Sequence, residues 1–269
     1  MMNEIVEHHT MPIVSIIVPC YNADKYILET LQSIQSSVYP SWECIIINDG
    51  STDNSLNVIK EAIDGNSRFT ILSQENAGPS VARNNGIRAS HGTYILPLDA
   101  DDLISKEYIS QAVQQLEHDA TIKVVYSNAE YFGKKKGPWI LPEYSFNDLL
   151  FENMIFCSAL FRRSDYDRTR GYDPTLHGRE DWDFWLELLK TGGDVHKLNG
   201  IHFFYRTHEE SRDRKANRNL EHIRQHIFNN HRELYAYCFE NPIQIYHEHA
   251  FFKKKYNILR RLTLRKPIS

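Results

Sequence analysis

The sequence predicts an α/β protein with a mixed, mostly parallel central sheet flanked by helices and a helical segment at the C-terminal end. Short apolar strands alternate with amphipathic helical stretches over the first half of the chain. Polar clusters follow several of these strands, where folds of this class bind ligands. The 269 residues are enough for one large α/β domain with a small appendage.

The predicted elements of the first half alternate in order. The strands are short runs rich in Ile and Val, at 14–18, 44–47, 69–72, 94–96 and 123–126. Apolar residues recur at helical spacing between them, at 27–34, 58–63, 82–89 and 108–116. Because strand–helix–strand connections place parallel strands side by side, this alternation indicates a largely parallel sheet.

Beyond residue 130 the alternation weakens. The segment 134–138 is predicted to be an exposed turn between strands, and residues 216 to the end have helical character. We therefore expect a flexible tail at 1–10, one domain at 11–215 and a helical, basic extension at 216–269.

Composition and charge exclude some classes of protein. The formal net charge of −4 argues against a nucleic-acid binder, which normally carries a basic surplus. The four cysteines are far apart and form no CxxC pair, as expected in a reducing cytosol. Residues 1–10 lack the apolar stretch of a signal peptide, and no apolar run has the length of a membrane span. We expect a cytoplasmic protein.

Acidic residues directly follow the fourth strand. Carboxylates at Asp99 and Asp101, with Asp102 next, can point oxygen atoms into one space, and oxygen-rich sites suit Mg²⁺ or Mn²⁺. Such a cation could bridge to a substrate diphosphate. A solvated acidic turn, or the cap of a following helix, would also produce this pattern.

Two further clusters follow the first and second strands. Asp49, at the end of its strand, is placed to accept hydrogen bonds from a base or ribose, whereas Asp53 could simply cap the next helix. Tyr21 could stack on a nucleobase, or be a half-buried aromatic residue at a strand end.

Four segments then occur in a fixed order: VSIIVPxYN from Val14, IINDGSTD from Ile46, NxGxSxARNxG from Asn76 and LDADD from Leu98. In order and spacing they resemble the motifs of the family-2 inverting glycosyltransferases, which have the Rossmann-like GT-A fold. The resemblance extends over roughly residues 11 to 210. It implies a nucleotide-binding half at 11–105 and an acceptor-binding half at 106–215.

The resemblance also implies roles for single residues on the donor side. The donor would be a nucleotide-diphosphate sugar, with UDP as the expected nucleotide, and the cofactor Mn²⁺ or Mg²⁺. The implied donor and metal residues are Pro19 and Tyr21 lining the base pocket, Asp49 binding the base, Asp99 reaching the ribose or sugar, and Asp101 as the direct metal ligand.

Each of two donor-side residues has two possible roles. Arg83 could neutralise phosphate charge or be a structural ion-pair partner. His208, in the segment Tyr205–His208, resembles a late motif near the diphosphate and would be a metal ligand or a phosphate contact. The family often has an acid where this chain has Asn48, but Asp49 is retained.

A later segment, Arg179–Trp185 with Gly171-Tyr172-Asp173 before it, resembles the acceptor side of the family. The resemblance implies Asp181 as the general base, with Glu180 and Trp182 beside it at the acceptor site. His177, near the acidic pair in sequence, is a further candidate for the acceptor site. The acids could equally begin a helix and stabilise its positive end.

The acceptor is expected to be a glycan or a lipid-linked glycan. From 251 to 266 the chain has seven basic residues, no acid and interleaved apolar residues. Residues 250–269 could therefore lie on an anionic membrane, at the inner face of the cell membrane, or pack as a helix on the catalytic domain.

The sequence thus predicts a metal-dependent inverting glycosyltransferase, transferring a hexosyl or N-acetylhexosaminyl group in surface polysaccharide synthesis. A non-catalytic nucleotide-sugar-binding relative is the alternative. A Rossmann oxidoreductase is excluded because the first strand-to-helix turn lacks GxGxxG.

Overall fold

The structure, a computed structural model, describes residues 14–208 and 219–238. The chain divides into two compact units, the first extending to Ile227 and the second beginning at Phe228. The predicted boundary at 215 and the segments 1–10 and 250–269 lie outside the described residues. Within the described ranges, no helix combines the length and the apolar character that crossing a membrane requires.

The first half alternates strand and helix as predicted. Its elements are β1 (Val14–Cys20), α1 (Ile27–Gln35), β2 (Trp42–Asp49), α2 (Ser55–Ala62), β3 (Phe69–Gln74), α3 (Pro79–Ala89) and β4 (Tyr94–Pro97). These strands lie in the order β3-β2-β1-β4, and each neighbouring pair is parallel. Because all four strands point the same way, their carboxyl ends meet at one edge of the sheet.

The second half continues the same sheet with mixed pairing. Its elements are β5 (Leu103–Ile104), α4 (Tyr108–His118), β6 (Ile122–Gly133), β7 (Gly137–Trp139), α5 (Phe146–Leu149), β8 (Leu160–Arg162), α6 (Arg163–Tyr166), α7 (Glu180–Leu189) and β9 (Asp194–Thr207). The order runs on as β4-β8-β6-β9-β5, and β7 pairs with β6. Strand β8 is antiparallel to both neighbours, whereas β6 and β9 are parallel.

Strand β6 is longer than the apolar run at 123–126 that predicted it. Its second half pairs with β9 on one side and β7 on the other, so hydrogen bonding continues beyond the buried stretch. The turn predicted at 134–138 is confirmed at residues 134–136, between β6 and β7. Two helices follow in the second described range, α8 (Leu220–Asn230) and α9 (Arg232–Cys238).

Helix α3 packs directly on the parallel strands, which fixes the donor side of the protein. Gly86 allows this close approach: a Cβ added there would lie 2.5 Å from Ile47 Cδ1 and 2.6 Å from Ile17 Cγ2. Pro79 begins the helix, at a position where its missing N–H costs nothing. Arg83, four residues after Pro79, therefore lies on a helix whose position against the sheet is fixed by this packing.

Candidate active site

A large cleft opens at the carboxyl edge of the parallel strands. Its volume of about 1240 Å³ exceeds the range of about 300–1,000 Å³ typical of ligand pockets, so two ligands have room side by side. Ten of the eleven predicted site residues line it: Pro19, Tyr21, Asp49, Arg83, Asp99, Asp101, His177, Glu180, Asp181 and His208.

The turn after β1 presents an aromatic ring to the cleft. Tyr21 is 52% exposed, so much of its ring is free to meet a ligand. Asn22 adopts a φ of 51°, a left-handed conformation that Asn tolerates better than most residues. Its Oδ1 accepts a hydrogen bond from the Thr52 amide at 2.8 Å, which ties the turn after β1 to the turn after β2.

Asp49 organises the loop that leads into α3. Its side chain is buried and accepts three hydrogen bonds from protein donors: Gln74 Nε2 at 2.7 Å, the Ala77 amide at 2.9 Å and the Gly78 amide at 2.9 Å. A carboxylate has about four acceptor positions, so one remains for a ligand. Asp49 therefore shapes the pocket as well as lining it.

The three aspartates of the acidic turn after β4 differ in how far their carboxylates are exposed. Asp102 is buried and accepts a hydrogen bond from the Arg206 amide at 2.8 Å; burial raises its pKa well above the ordinary value. The side chains of Asp99 and Asp101 keep 31% and 33% of their surface exposed. All three residues line the cleft, but Asp99 and Asp101 expose more of their carboxylates to it than Asp102 does.

Asp101 meets the histidine that sequence resemblance singled out. His208 Nε2 lies 2.7 Å from Asp101 Oδ2, although the two residues are 107 apart in sequence. Within residues 14–208 and 219–238, no group of three or more Asp, Glu, His or Cys side chains converges as a metal site. The Asp–His donor pair still suits Mn²⁺ or Mg²⁺, because substrate phosphates supply part of the coordination of such ions.

Arg83 bridges the donor and acceptor sides. Its side chain is 1% exposed; one guanidinium nitrogen lies 2.6 Å from Asp99 and the other 2.9 Å from Glu180. Of the two roles considered for Arg83, the ion-pair partner is the one seen in the structure. Glu180 is itself buried, so removing Arg83 would take away a cation that is bonded to a buried carboxylate.

Asp181 has the properties of a general base. It is half-buried, and Asn153 Nδ2 donates a hydrogen bond to its Oδ2 at 2.9 Å. Burial, followed by repulsion from Glu180, raises the pKa of Asp181 to about 6. A carboxylate with that pKa is ionised at neutral pH and takes up a proton more readily than an ordinary aspartate.

The backbone places Asp181 at the very start of α7. Gly178 has a φ of 103° and Arg179 has a φ of 57°, so the chain turns sharply into the helix. Left-handed conformations of residues other than glycine are uncommon and often occur at functional sites. The acids of the first turn also face the positive end of the helix, which favours their ionised forms.

The prediction that Trp182 contributes to the acceptor site is wrong. Trp182 is 2% exposed and does not line the cleft, and its indole N–H donates to the Leu149 carbonyl. Successive helical residues point about 100° apart, so the residue after Asp181 faces the core. Trp182 and Trp185, which donates to the Ile155 carbonyl at 3.0 Å, fasten α7 to the preceding loop.

Several cleft residues carried no signal that sequence reasoning could use. Asn153 lies in a loop without a recognisable motif, and Tyr131 and Trp139 lie on strands of the second half. Tyr205 begins the late motif segment but was given no role there. His177, which was predicted, is exposed at the cleft.

The family model named "Glycosyl transferase family 2" matches residues 15–180, more than half of the chain. The chain belongs to glycosyl transferase family 2. The match covers the parallel strands, the acidic turn and the first residue of α7, so the family motifs and the cleft coincide.

Sequence relatives include chondroitin synthases and a glycosyltransferase of teichuronic acid biosynthesis. TuaG of Bacillus subtilis, a glycosyltransferase named for teichuronic acid biosynthesis, is 32% identical over 70% of this chain and 76% of its own length. Chondroitin synthase of Escherichia coli is 27% identical over 69% of this chain. The chain spans only 28% of that synthase and 20% of the Pasteurella multocida chondroitin synthase.

Solved structures of glycosyltransferases share the fold. S. aureus TarS 1–349, in a complex with UDP-GlcNAc, superposes with a TM-score of 0.66 at 21% identity, over 76% of this chain and 61% of the TarS 1–349 chain. The mannosyltransferase PcManGT of Pyrobaculum calidifontis, in a complex with GDP-Man and Mn²⁺, has a TM-score of 0.62 at 20% identity, over 80% of this chain and 63% of its own. These likenesses establish the GT-A architecture predicted from the sequence.

Proposed function

We propose that this protein is a metal-dependent inverting glycosyltransferase that moves a sugar from a UDP-sugar to a hydroxyl of a glycan or lipid-linked acceptor. One observation carries the proposal: Asp49, Asp101 and Asp181, widely separated in sequence, line a single cleft. The sugar would be a hexose or N-acetylhexosamine. Its use in surface polysaccharide synthesis is supported by the names of the relatives TuaG and chondroitin synthase.

The donor half binds the nucleotide in this proposal. The exposed ring of Tyr21 stacks on the base, and the remaining acceptor position of the Asp49 carboxylate takes a base N–H. Asp99, held by Arg83, presents its exposed oxygen to a ribose or sugar hydroxyl. The UDP-GlcNAc complex of TarS and the GDP-Man complex of PcManGT support a nucleotide sugar as the donor class.

A divalent cation would be held by Asp101 and His208, with phosphate oxygens completing its coordination. When bound, it would offset the negative charge that develops on the departing diphosphate. The Mn²⁺ in the PcManGT complex supports this cofactor class.

Asp181 carries the proton transfer. The acceptor hydroxyl gives its proton to the Asp181 carboxylate while its oxygen bonds to the anomeric carbon. The bond from that carbon to the phosphate oxygen breaks, and its electron pair leaves with the nucleotide diphosphate. The attack comes from the face opposite the leaving group, so the configuration inverts. Asn153 holds the accepting carboxylate in place throughout.

Turnover of labelled donors tests this function. The protein is incubated with radiolabelled UDP-glucose, UDP-galactose, UDP-GlcNAc or GDP-mannose and Mn²⁺, with and without a glycan extract. We expect hydrolysis or transfer of at least one donor, reduced by chelation of the metal and abolished in Asp181→Asn. A protein that bound a nucleotide sugar but turned none over would be the non-catalytic relative instead.

We also propose peripheral membrane contact through residues 250–269, on the basis of their seven basic and interleaved apolar side chains. Pelleting with vesicles containing anionic lipid, using the full chain and a chain ending at 249, measures this contact. We expect the full chain alone to pellet, and less so at high salt. Equal pelleting of both chains would remove the membrane role.

A further inference from the structure

Three half-buried aromatic side chains, Tyr131, Trp139 and Tyr205, line the same cleft as Asp181; we call them the aromatic wall. We propose that the aromatic wall, together with Asn153, binds a pyranose ring at the end of the acceptor. The inference rests on the proposed glycosyltransferase function and names its acceptor: a sugar ring, rather than an acyl chain or a polyol phosphate.

The rings of the wall are held in a fixed arrangement by the sheet. Tyr131 and Trp139 lie on the β6–β7 hairpin, stacked with ring centroids 5.2 Å apart and planes 15° from parallel. Tyr205, paired with Tyr131 across β6 and β9, meets Trp139 edge-on at 5.2 Å. Aromatic residues anchored on strands offer contact area with little loss of side-chain entropy on binding.

The wall is continuous with the segment that holds the general base. The Trp139 and Phe156 ring centroids are 6.2 Å apart, and Phe156 in turn stacks on Phe203 at 4.3 Å. Phe156 follows Asn153 by three residues in the same loop. The Trp185 indole of α7 donates a hydrogen bond to the Ile155 carbonyl of this loop. Ring contacts therefore connect the wall to the loop that carries Asn153, and the wall, Asn153 and Asp181 line the same cleft.

Asn153 has an unused acceptor at this point. Its Nδ2 donates to Asp181, while its Oδ1 is buried and receives no hydrogen bond from any described residue. A buried polar atom without a partner costs free energy unless a ligand or water satisfies it. A neighbouring hydroxyl on the acceptor ring would supply the missing donor, beside the hydroxyl that Asp181 deprotonates.

These two features together match a pyranose better than the other acceptor classes. A pyranose has an apolar C–H face for the aromatic rings and hydroxyls at its edge for the Asn153 carbonyl. An acyl chain would leave the polar groups of the cleft unsatisfied. A polyol phosphate has hydroxyls for the Asn153 carbonyl but no apolar ring face for the aromatic wall to contact.

Saturation-transfer NMR with methyl pyranosides tests the inference. The probes are methyl glycosides of glucose, galactose, N-acetylglucosamine and glucuronic acid, each added to the full chain with UDP and Mn²⁺; glycerol 3-phosphate is the comparison. We expect at least one methyl pyranoside to bind, with its ring C–H protons saturated most strongly. In Trp139→Leu, which keeps an apolar side chain but loses the ring, its affinity falls about fivefold or more.

Two variants separate the loss of the ring from other effects. Trp139→Phe keeps an aromatic ring and should retain more affinity for the pyranoside than Trp139→Leu. This comparison distinguishes the loss of the ring from a general loss of folded protein. Phe151→Leu removes a 54% exposed aromatic residue that does not line the cleft, and should leave pyranoside affinity unchanged.

Other results would overturn either the sugar-binding role of the aromatic wall or the proposed donor function. Failure of every methyl pyranoside to bind, equal binding by wild type and Trp139→Leu, or preference for glycerol 3-phosphate would overturn the sugar-binding wall. UDP binding to the wild type, measured by calorimetry in the same buffer, is independent of the wall. Its absence would count against the proposed donor function instead.

Discussion

Replacing Asp181 by Asn should make the protein more stable while it destroys transfer. The pKa of Asp181 is raised from 3.8 to about 6 by burial and by Glu180, so at pH 8 the folded state holds a charge that the unfolded chain accommodates more easily. The difference between the two pKa values corresponds to at most about 3 kcal/mol of stability gained by Asp181→Asn at pH 8. We expect a gain of about 2 kcal/mol because the side chain is only half-buried.

The sign of the effect fixes a pH window. A carboxyl whose pKa is higher in the folded state binds its proton more tightly there, so folding gains stability at low pH. This gain is fully present below about pH 4 and is lost as pH rises to about 6. The asparagine side chain of the variant does not titrate. The stability difference between variant and wild type should therefore be small at pH 4 and largest above pH 6.

Urea unfolding of both proteins at several pH values between 4 and 8 measures the difference. The matched control is Asp183→Asn, two residues along the same helix. Asp183 is fully buried and both its oxygens accept from Arg170, at 2.9 and 3.1 Å, so the same substitution there should cost about 2 kcal/mol.

Transfer by Asp181→Asn should fall by about 10²-fold or more, the usual effect of losing a general base. The reasoning about Asp181 would be refuted by a variant no more stable than wild type at pH 8, or by a stability gain that does not change with pH. Full transfer activity in the variant would refute its role as base.

The remaining predictions concern the residues that hold the site. Arg83→Gln should lower the free energy of unfolding by about 3 kcal/mol, because it removes a buried cation that is bonded to both Asp99 and Glu180. Thermal and urea unfolding check this, and Arg83→Lys should recover part of the loss. Gly86→Ala should cost about 1–3 kcal/mol in urea unfolding, since the new Cβ would lie 2.5 Å from Ile47; an unchanged midpoint would contradict the close packing of α3. Asn153→Ala removes a hydrogen bond that lowers the pKa of Asp181, so the acidic limb of the pH–rate profile should move to higher pH; a profile that keeps its position would contradict this role.

The donor side could be predicted closely because its parts are local. Strand ends and turn residues are adjacent in sequence, so β1, β2 and β4 carry Tyr21, Asp49 and Asp101 to one edge wherever the strands are parallel. The motif resemblance also linked Asp101 with His208, which no periodicity could connect. Their 2.7 Å contact accords with that prediction.

The acceptor side was harder because its residues come together only through tertiary packing. Asn153 lies in a loop whose position depends on the indole contacts of Trp182 and Trp185 with the segment 149–155. Trp182 was predicted at the acceptor site from its place in the motif, but its side chain points about 100° away from Asp181 around the helix and is buried in the core. The aromatic wall depends on the pairing of β6 with β7 and β9, which the weak pattern beyond residue 130 did not indicate.

A crystal structure of the complex with UDP and Mn²⁺ would show where the donor and the cation bind. We predict uracil against the ring of Tyr21 and near Asp49, and the diphosphate beside a cation held by Asp101 and His208. Asp181 should face the open part of the same cleft. Nucleotide bound at another surface, or a cation away from Asp101, would contradict this prediction.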